Sequence, residues 1–246
     1  MIPSGILEQI LLARKQSQKL FSVLIDPDKT SVADIPNYLE LAQQTQIDFF
    51  FIGGSLLVED RMKPIIQAIQ LASDIPTIIF PGSPLQICKK ADAILLLALL
   101  SGRNPELLIG QHVIAAPYLK ASQLEVISTA YLLIDGGVPT TASYMSNSKP
   151  IPNNKPDIAA CTALAAEMLG FKLIYLDAGS GAQTAVPSQM IKEVRKQIDL
   201  PMIVGGGIKT PEMAQSALAA GADMIVIGNA IEKDPKLILE IGKIIG

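Results

Sequence analysis

The stretch Met202–Pro235, "MIVGGGIKTPEMAQSALAAGADMIVIGNAIEKDP", reads as one complete strand–helix–strand unit with the start of a further helix. Met202–Val204 and Met224–Ile227 are short apolar runs without alternation, as expected of parallel strands covered on both faces. Between them, Pro211–Ala220 has helical periodicity. Thr210 ahead of Pro211-Glu212 places a capping residue before a first-turn proline. Asp234 before Pro235 repeats that signal for a helix over Pro235–Ile244. Both strands run out into glycine.

Upstream, the same alternation recurs. Further apolar runs lie at Phe21–Ile25, Phe49–Ile52, Thr77–Phe80, Ala93–Leu97, Tyr131–Ile134 and Leu173–Leu176. Amphipathic stretches separate several of them, at Ile35–Gln44, Met62–Ala72, Asp157–Leu169 and Ser188–Gln197. Eight such units is the number that closes a (β/α)₈ barrel. The fold class that follows is α/β, a single TIM barrel occupying residues 1–246 as one domain. An open doubly wound sheet would carry a glycine-rich turn after its first strand, where this chain has "DPDKT". The segment after the third strand, "PGSPLQICKKAD", is too short for a full crossover helix, so that unit is expected to be irregular. Val138–Pro156, rich in Ser, Asn and Pro, reads as a mobile loop after the fifth strand, on the face where lids belong.

Composition narrows the class. Of the 246 residues, 49% are hydrophobic and 17% charged, which excludes a disordered chain. A net charge of −3, with no basic run and few aromatics, argues against nucleic acid as a partner. Cys88 and Cys161 are far apart, without metal-binding spacing, and suit a reducing compartment. The N-terminal stretch "MIPSGILEQILLARKQSQK" has no export signal; it reads as an amphipathic helix with Ile6, Ile10 and Ala13 on one face. The longest apolar run, Ala93–Leu100, is too short to span a bilayer. A cytoplasmic protein is expected, with contact at a membrane surface left open.

The late glycines point to an anion. In this fold a phosphate is often held after the seventh and eighth strands by backbone N–H groups and a helix N-terminus. A Cβ would obstruct so close an approach, which makes Gly206, Gly207, Gly228 and Asn229 the candidate donors. In a barrel the neighbouring loop is "DAGSGA", where Gly179, Ser180 and Gly181 can add N–H groups and a hydroxyl. Asp177 would repel the phosphate and is better placed to accept hydrogen bonds from neutral hydroxyls beside it. A small phosphorylated polyol fits both features. The plainer readings are tight turns for the glycines, and a helix cap or lysine partner for Asp177.

At the opposite side of the mouth, "VLIDPDKT" sets Asp26 and Asp28 after the first strand, and "FFFIGGSLL" ends in Gly53-Gly54-Ser55. A carboxylate with a hydroxyl, and no His or Cys nearby, forms a hard oxygen site suited to Mg²⁺. "DPD" is equally a turn former. Apolar residues of the third and fourth strands could line a groove or be ordinary buried strand. His112 has no triad pattern around it and reads as structural or surface.

Taken in order, "IDPDK", "FIGGS", "YLDAGSGA", "VGGGIKTPE" and "VIGNAIEKDP" resemble the geranylgeranylglyceryl phosphate synthase family, which includes bacterial heptaprenylglyceryl phosphate synthases. The resemblance covers Phe21 to Pro235. It implies a modified TIM barrel in which a loop replaces one helix, in agreement with the short segment after the third strand. It implies an enzyme that couples sn-glycerol 1-phosphate to a polyprenyl diphosphate with Mg²⁺, releasing pyrophosphate. It implies metal ligation by Asp26 and Ser55. It implies glycerol phosphate binding by Tyr175, Leu176, Asp177, Ala178, Gly179, Ser180 and Gly181, by Gly206 and Gly207, and by Gly228 and Asn229. In the implied reaction a lysine such as Lys29 takes up charge on the diphosphate, Tyr175 holds the glycerol or its phosphate edge, and Asp177 orients the attacking hydroxyl and accepts its proton. Many members carry Glu where Asp177 stands. The resemblance also implies a homo-oligomer, and the Asp with the extended loops favours a geranylgeranyl donor over a heptaprenyl one. A sugar-phosphate isomerase or synthase explains the late glycines equally well but leaves "DPDK" and "GGS" unexplained. A non-catalytic prenyl-lipid or phosphate carrier would bind without releasing pyrophosphate.

Overall fold

The computed structural model describes residues 5–59 and 61–245; residues 1–4, 60 and 246, which the sequence reading included, lie outside the described residues. Eight parallel strands close in sequence order. They are β1 (Leu20–Ile25), β2 (Phe49–Ile52), β3 (Thr77–Ile79), β4 (Ala93–Leu99), β5 (Glu125–Leu133), β6 (Leu173–Asp177), β7 (Met202–Gly205) and β8 (Met224–Ile227). Helices α1 (Ile6–Lys15), α2 (Ile35–Gln43), α3 (Met62–Ala72), α4 (Gln111–Ser122), α5 (Thr141–Met145), α6 (Pro156–Met168), α7 (Ser188–Gln197), α8 (Pro211–Ala219), α9 (Asn229–Lys233) and α10 (Leu237–Ile245) accompany them.

The apolar side chains separate into two cores because successive strand residues face opposite sides. One core fills the barrel with Phe49, Phe51, Leu95, Tyr131, Tyr175 and Ile203. The other, including Phe50, Ile52, Leu176 and Val204, packs against the helices. Ile6, Ile10 and Ala13 of α1 join the inner core, so the N-terminal helix plugs the bottom of the barrel with the face read from sequence. Glu125 fixes the plug by accepting hydrogen bonds from the backbone N–H groups of Ile6 and of Leu7, the latter at 2.9 Å.

A repeated device holds the bottom edge. Asp48, Asp92 and Asp223 each precede an even-numbered strand. Each carboxylate accepts a backbone N–H near the start of the preceding strand: Phe21 at 2.7 Å, Thr77 at 2.7 Å and Met202 at 2.8 Å. Asp223 also pairs with Arg195 at 2.8 Å. Replacing Asp223 by alanine should therefore lower unfolding stability by about 3 kcal/mol, because a part-buried guanidinium loses its neutralising carboxylate and the buried Met202 N–H loses its acceptor. Urea unfolding measures this.

No helix forms between β3 and β4, as expected from the length of that segment. Pro81 and Pro84 oppose helix there. Gln86 pins the segment by accepting from the Gly82 N–H at 2.9 Å and donating to the Gly54 carbonyl at 3.1 Å. Two expectations are corrected. β5 begins at Glu125, six residues before the apolar run at Tyr131. The stretch 138–156 contains α5, whose N-cap Thr140 accepts from the Ser143 N–H at 3.3 Å, and Ile151 forms a bridge with Ile134. Among the described residues no helix is long and apolar enough to cross a membrane.

Candidate active site

At the C-terminal end of the barrel, Asp177 is the last residue of β6. Leu173, Tyr175 and Asp177 share the inward face, whereas Leu176 and Ala178 pack in the outer core. Leu176 and Ala178 can therefore offer a ligand only backbone. The Asp177 carboxylate is 6% exposed. It accepts the Tyr131 hydroxyl at 2.6 Å and the Gly179 N–H at 2.7 Å. Burial pushes its pKa above the ordinary carboxylate value, and these two hydrogen bonds hold it partly down. Burial, then the charge of Asp177, pushes the phenols of Tyr131 and Tyr175 well up, so both stay protonated.

The glycines allow this crowding. Gly206 has φ +75°, and a Cβ there would lie 2.4 Å from Asp177 Oδ1. A Cβ at Gly205 would lie 2.6 Å from the Tyr175 hydroxyl. The glycines at the end of β7 thus let its loop close on the carboxylate that ends β6. This changes one expectation: the Gly179 N–H is engaged by Asp177, and the Ala178 N–H by the Gly205 carbonyl at 3.1 Å, so neither is a free phosphate donor. Ser180 and Asn229 are brought together as expected, the Ser180 hydroxyl donating to Asn229 Oδ1 at 2.8 Å. The loops after β6, β7 and β8 therefore converge, with Gly181, Gly207 and Gly228 among their backbone.

Across the mouth, Asp26 Oδ1 accepts the Asp28 N–H at 3.1 Å and Oδ2 pairs with Lys29 at 2.8 Å. Lys29 also meets Glu232 of α9 at 3.4 Å. Burial pulls the ammonium pKa down, but Asp26 and Glu232 outweigh it and hold it above the ordinary value. Lys29, expected to meet a diphosphate, is thus already held by two carboxylates. Asp28 accepts N–H groups of Val58 at 2.7 Å and Glu59 at 3.1 Å, tying the loop after β2 to the loop after β1. A Cβ at Gly54 would stand 3.5 Å from Asp26 Oδ1, so Asp26 lies against the turn that carries Ser55. The side chains of Asp26, Ser55 and Glu232 offer oxygen only, and Lys29 pairs with the two carboxylates. These oxygens fit Mg²⁺, which takes few protein ligands and completes its shell with water and substrate phosphate. Among the described residues no group of three His, Cys, Asp or Glu could hold a metal by itself.

A cavity of about 1160 Å³ opens beside this site. It is lined from Gly54 and Ser55, past Phe80 and Tyr131, to Ala115 and Leu119 of α4. Residues from both faces of β4, Leu95 and Leu97 on one and Ile94 and Leu96 on the other, take part. The outer face is available because no helix fills the space between β3 and β4. A greasy groove at the third and fourth strands was one of two readings of the sequence, and the structure contains it. His112 lines it and contacts the Leu97 carbonyl through Nε2 at 2.8 Å, a structural contact as read.

Three residues escaped the sequence reading: Tyr131, Phe80 as part of the site, and Glu232. A strand that starts at Tyr131 would place that residue at the wrong end of the barrel. The register sets Tyr131 beside Tyr175 and Leu133 beside Asp177. Strict inward parity from Leu133 was the signal that could have found it. Nothing in the sequence marks Glu232 beyond its place one turn after Asn229.

Residues 13–244 match the PcrB family model. The chain belongs to the PcrB family. A geranylgeranylglyceryl phosphate synthase from Chitinophaga pinensis is 53% identical over 223 residues, covering 91% of this chain and 88% of that protein. The synthase of that name from Thermococcus gammatolerans is 42% identical over 234 residues, covering 95% and 92%. Among solved structures, (S)-3-O-geranylgeranylglyceryl phosphate synthase from Thermoplasma acidophilum, in complex with sn-glycerol-1-phosphate, superposes with a TM-score of 0.91 at 37% identity, covering 98% of this chain and 97% of that one. This PcrB-family protein is accordingly an enzyme, a prenyltransferase built on a TIM barrel.

Proposed function

We propose that the enzyme joins the C3 hydroxyl of sn-glycerol 1-phosphate to geranylgeranyl diphosphate, with Mg²⁺, giving geranylgeranylglyceryl phosphate and pyrophosphate. The observation that carries this reading is one contact: Tyr131 lines the apolar cavity and donates to Asp177, which lies among the glycine loops. An apolar donor site and a phosphate-type site thus meet at a buried carboxylate. The Thermoplasma acidophilum structure with bound sn-glycerol-1-phosphate supports the choice of acceptor.

The residues divide the work. Backbone of Gly207, Gly228 and Asn229, with Ser180, holds the phosphate and fixes the acceptor. Tyr175 supports the glycerol. Asp177 orients the C3 hydroxyl and takes its proton, and the raised proton affinity of a buried carboxylate suits a base. Holding both reactants in line supplies much of the acceleration. Asp26 and Ser55 would hold Mg²⁺, which would supply positive charge to the diphosphate leaving group. We assign the protein to the cytoplasm, as a homo-oligomer that reaches its donor at a bilayer surface. The exposed apolar residues Ile109, Val113, Ile114 and Tyr118, on and just before α4, give a second copy or a lipid surface a place to pack.

The cavity exceeds the roughly 300–1,000 Å³ of most ligand sites, consistent with a long donor. Ala115, buried on the cavity side of α4, is a natural place to shorten it. Ala115→Trp should cut kcat/KM for the C20 donor at least tenfold and move the preference to C15, since each CH₂ refused burial forfeits up to ~0.8 kcal/mol.

Pyrophosphate release tests the whole reading. Purified protein with Mg²⁺ would be given sn-glycerol 1-phosphate or its 3-phosphate enantiomer, each with C15, C20 and C35 prenyl diphosphates. Release with the 1-phosphate and fastest with C20 is expected. Fastest release with C35 would replace the donor by heptaprenyl diphosphate. No release by folded protein would overturn the proposed activity.

A further inference from the structure

We infer that the rings of Phe80 and Tyr131 are catalytic groups, forming the wall against which the allylic carbon of the donor gains positive charge. The inference rests on the prenyl-transfer reading and names residues that reading does not require. Bond formation needs C1 of the donor within about 3–3.5 Å of the acceptor oxygen that Asp177 holds. The cavity reaches Asp177 through Tyr131: among the described cavity-lining residues, Tyr131 is the one bonded to that carboxylate, at 2.6 Å. Phe80 lines the same cavity.

Three rings from three strand ends bunch at this point. Phe80 stacks on Tyr175 at 5.1 Å and 22°, lies 6.0 Å from Tyr131, and Tyr131 meets Tyr175 edge-on at 5.6 Å. Core packing alone would account for Tyr175, which is 1% exposed. Tyr131, 8% exposed, and the half-buried Phe80 pack in the same core and in addition line the cavity. In the reaction, the C1–O bond to the diphosphate breaks and its electron pair leaves with the diphosphate. The glycerol oxygen forms the new bond to C1, and its proton passes to Asp177. Meanwhile C1 carries allylic positive charge in an apolar site, where an aromatic face attracts a cation most strongly. Tyr131 then serves both substrates, its ring facing the donor and its hydroxyl holding the base.

Progressive fluorination tests this. Phe80 would be replaced by mono-, di- and tetrafluorophenylalanine, which keep the ring's shape and drain its negative face. Single-turnover rate with geranylgeranyl diphosphate and sn-glycerol 1-phosphate should fall stepwise, by at least tenfold across the series. Affinity for the unreactive thiolo-diphosphate analogue should stay constant. A rate indifferent to fluorination, or a loss that follows donor affinity, would overturn the role of Phe80. For Tyr131, Tyr131→Phe keeps the ring and should retain more than tenfold the rate of Tyr131→Leu. Its kcat should also fall off at higher pH on the acid side, because Asp177 has lost a donor. The groups facing Asp177 are Tyr131 from β5, Tyr175 and the Gly179 N–H from β6 and its loop, and only glycine from β7. Equal rates for the two Tyr131 variants would show the ring to be inert. Wild-type protein that transfers no prenyl group would sink the prenyl-transfer reading, and this inference with it.

Discussion

Asp177→Asn should lower turnover by about 10²–10⁴-fold, the range for removal of a general base, while the protein becomes more resistant to heat at neutral pH. Asparagine keeps the shape and accepts from the Tyr131 hydroxyl, but it gives up the bond from the Gly179 N–H, a loss smaller than the cost of the buried charge, and it takes no proton from the acceptor. The gain in stability follows from the direction of the pKa shift. Burial raises the Asp177 pKa above its ordinary 3.8. A group raised on folding binds its proton more tightly in the folded state. Its favourable contribution is full below the unfolded value and is lost as pH rises through the folded one. At pH 7 the ionised Asp177 therefore costs stability, and asparagine removes that cost. Thermal unfolding at pH 7 and below pH 4 separates the cases: the variant's advantage should vanish at acid pH. Near-normal kcat in the variant would remove Asp177 from the mechanism, whatever its melting behaviour.

Gly206→Ala should reduce kcat/KM for the glycerol phosphate about 10²-fold and leave donor affinity unchanged. The added Cβ would stand 2.4 Å from Asp177 Oδ1 and 2.6 Å from the Gly179 N, at φ +75°. Positive φ costs a non-glycine residue about 1–3 kcal/mol. The carboxylate and the loop after β6 must also move, and a misplacement near 1 Å at a reacting group is worth about that factor in rate. Gly181→Ala is the comparison. Gly181 has φ +81° but nothing within 4 Å of its would-be Cβ, so only backbone strain applies and the loss should be much smaller. Steady-state kinetics with each substrate varied in turn decides between local crowding and general loosening. Equal damage from both substitutions would mean that positive φ, not contact with Asp177, is what these glycines provide.

Much of the fold was open to reading from sequence because parallel strands buried on both faces leave uninterrupted apolar runs, and glycine or capped prolines mark their ends. β2, α3, α7 and β8 have the bounds that the residues suggested. The failures have identifiable causes. α4 has Pro117 in its interior and presents Val113, Ile114 and Tyr118 outward, so its pattern is not that of a half-buried helix. The first half of β5 contains Glu125, Ser128 and Thr129, which do not read as core; Thr129 is nonetheless fully buried, its hydroxyl bonded to the Ile127 carbonyl at 3.0 Å. Truncating that strand hid Tyr131. The acid and the glycines of the loop after β6 were legible because their chemistry is local. The Tyr131–Asp177 contact joins residues 46 apart and needed the register. That Gly179 spends its N–H on Asp177 could not be read from residue types at all.

The helix missing between β3 and β4 has a consequence for how such an enzyme can diversify. A barrel normally seals every strand behind a helix, so widening a site means disturbing the wall that carries the chemistry. Here the apolar recess is made by an omission, and its boundary falls largely to residues 81–122, while the rings, the carboxylate and the glycine loops lie elsewhere, at Phe80, Tyr131 and residues 175–229. Drift in the first segment can lengthen or shorten the recess without touching the second. Under the proposed function, donor length and acceptor recognition are separately heritable traits of one gene. A lineage could change the lipid it makes by a few substitutions in the first segment, keeping the bond-forming machinery as inherited.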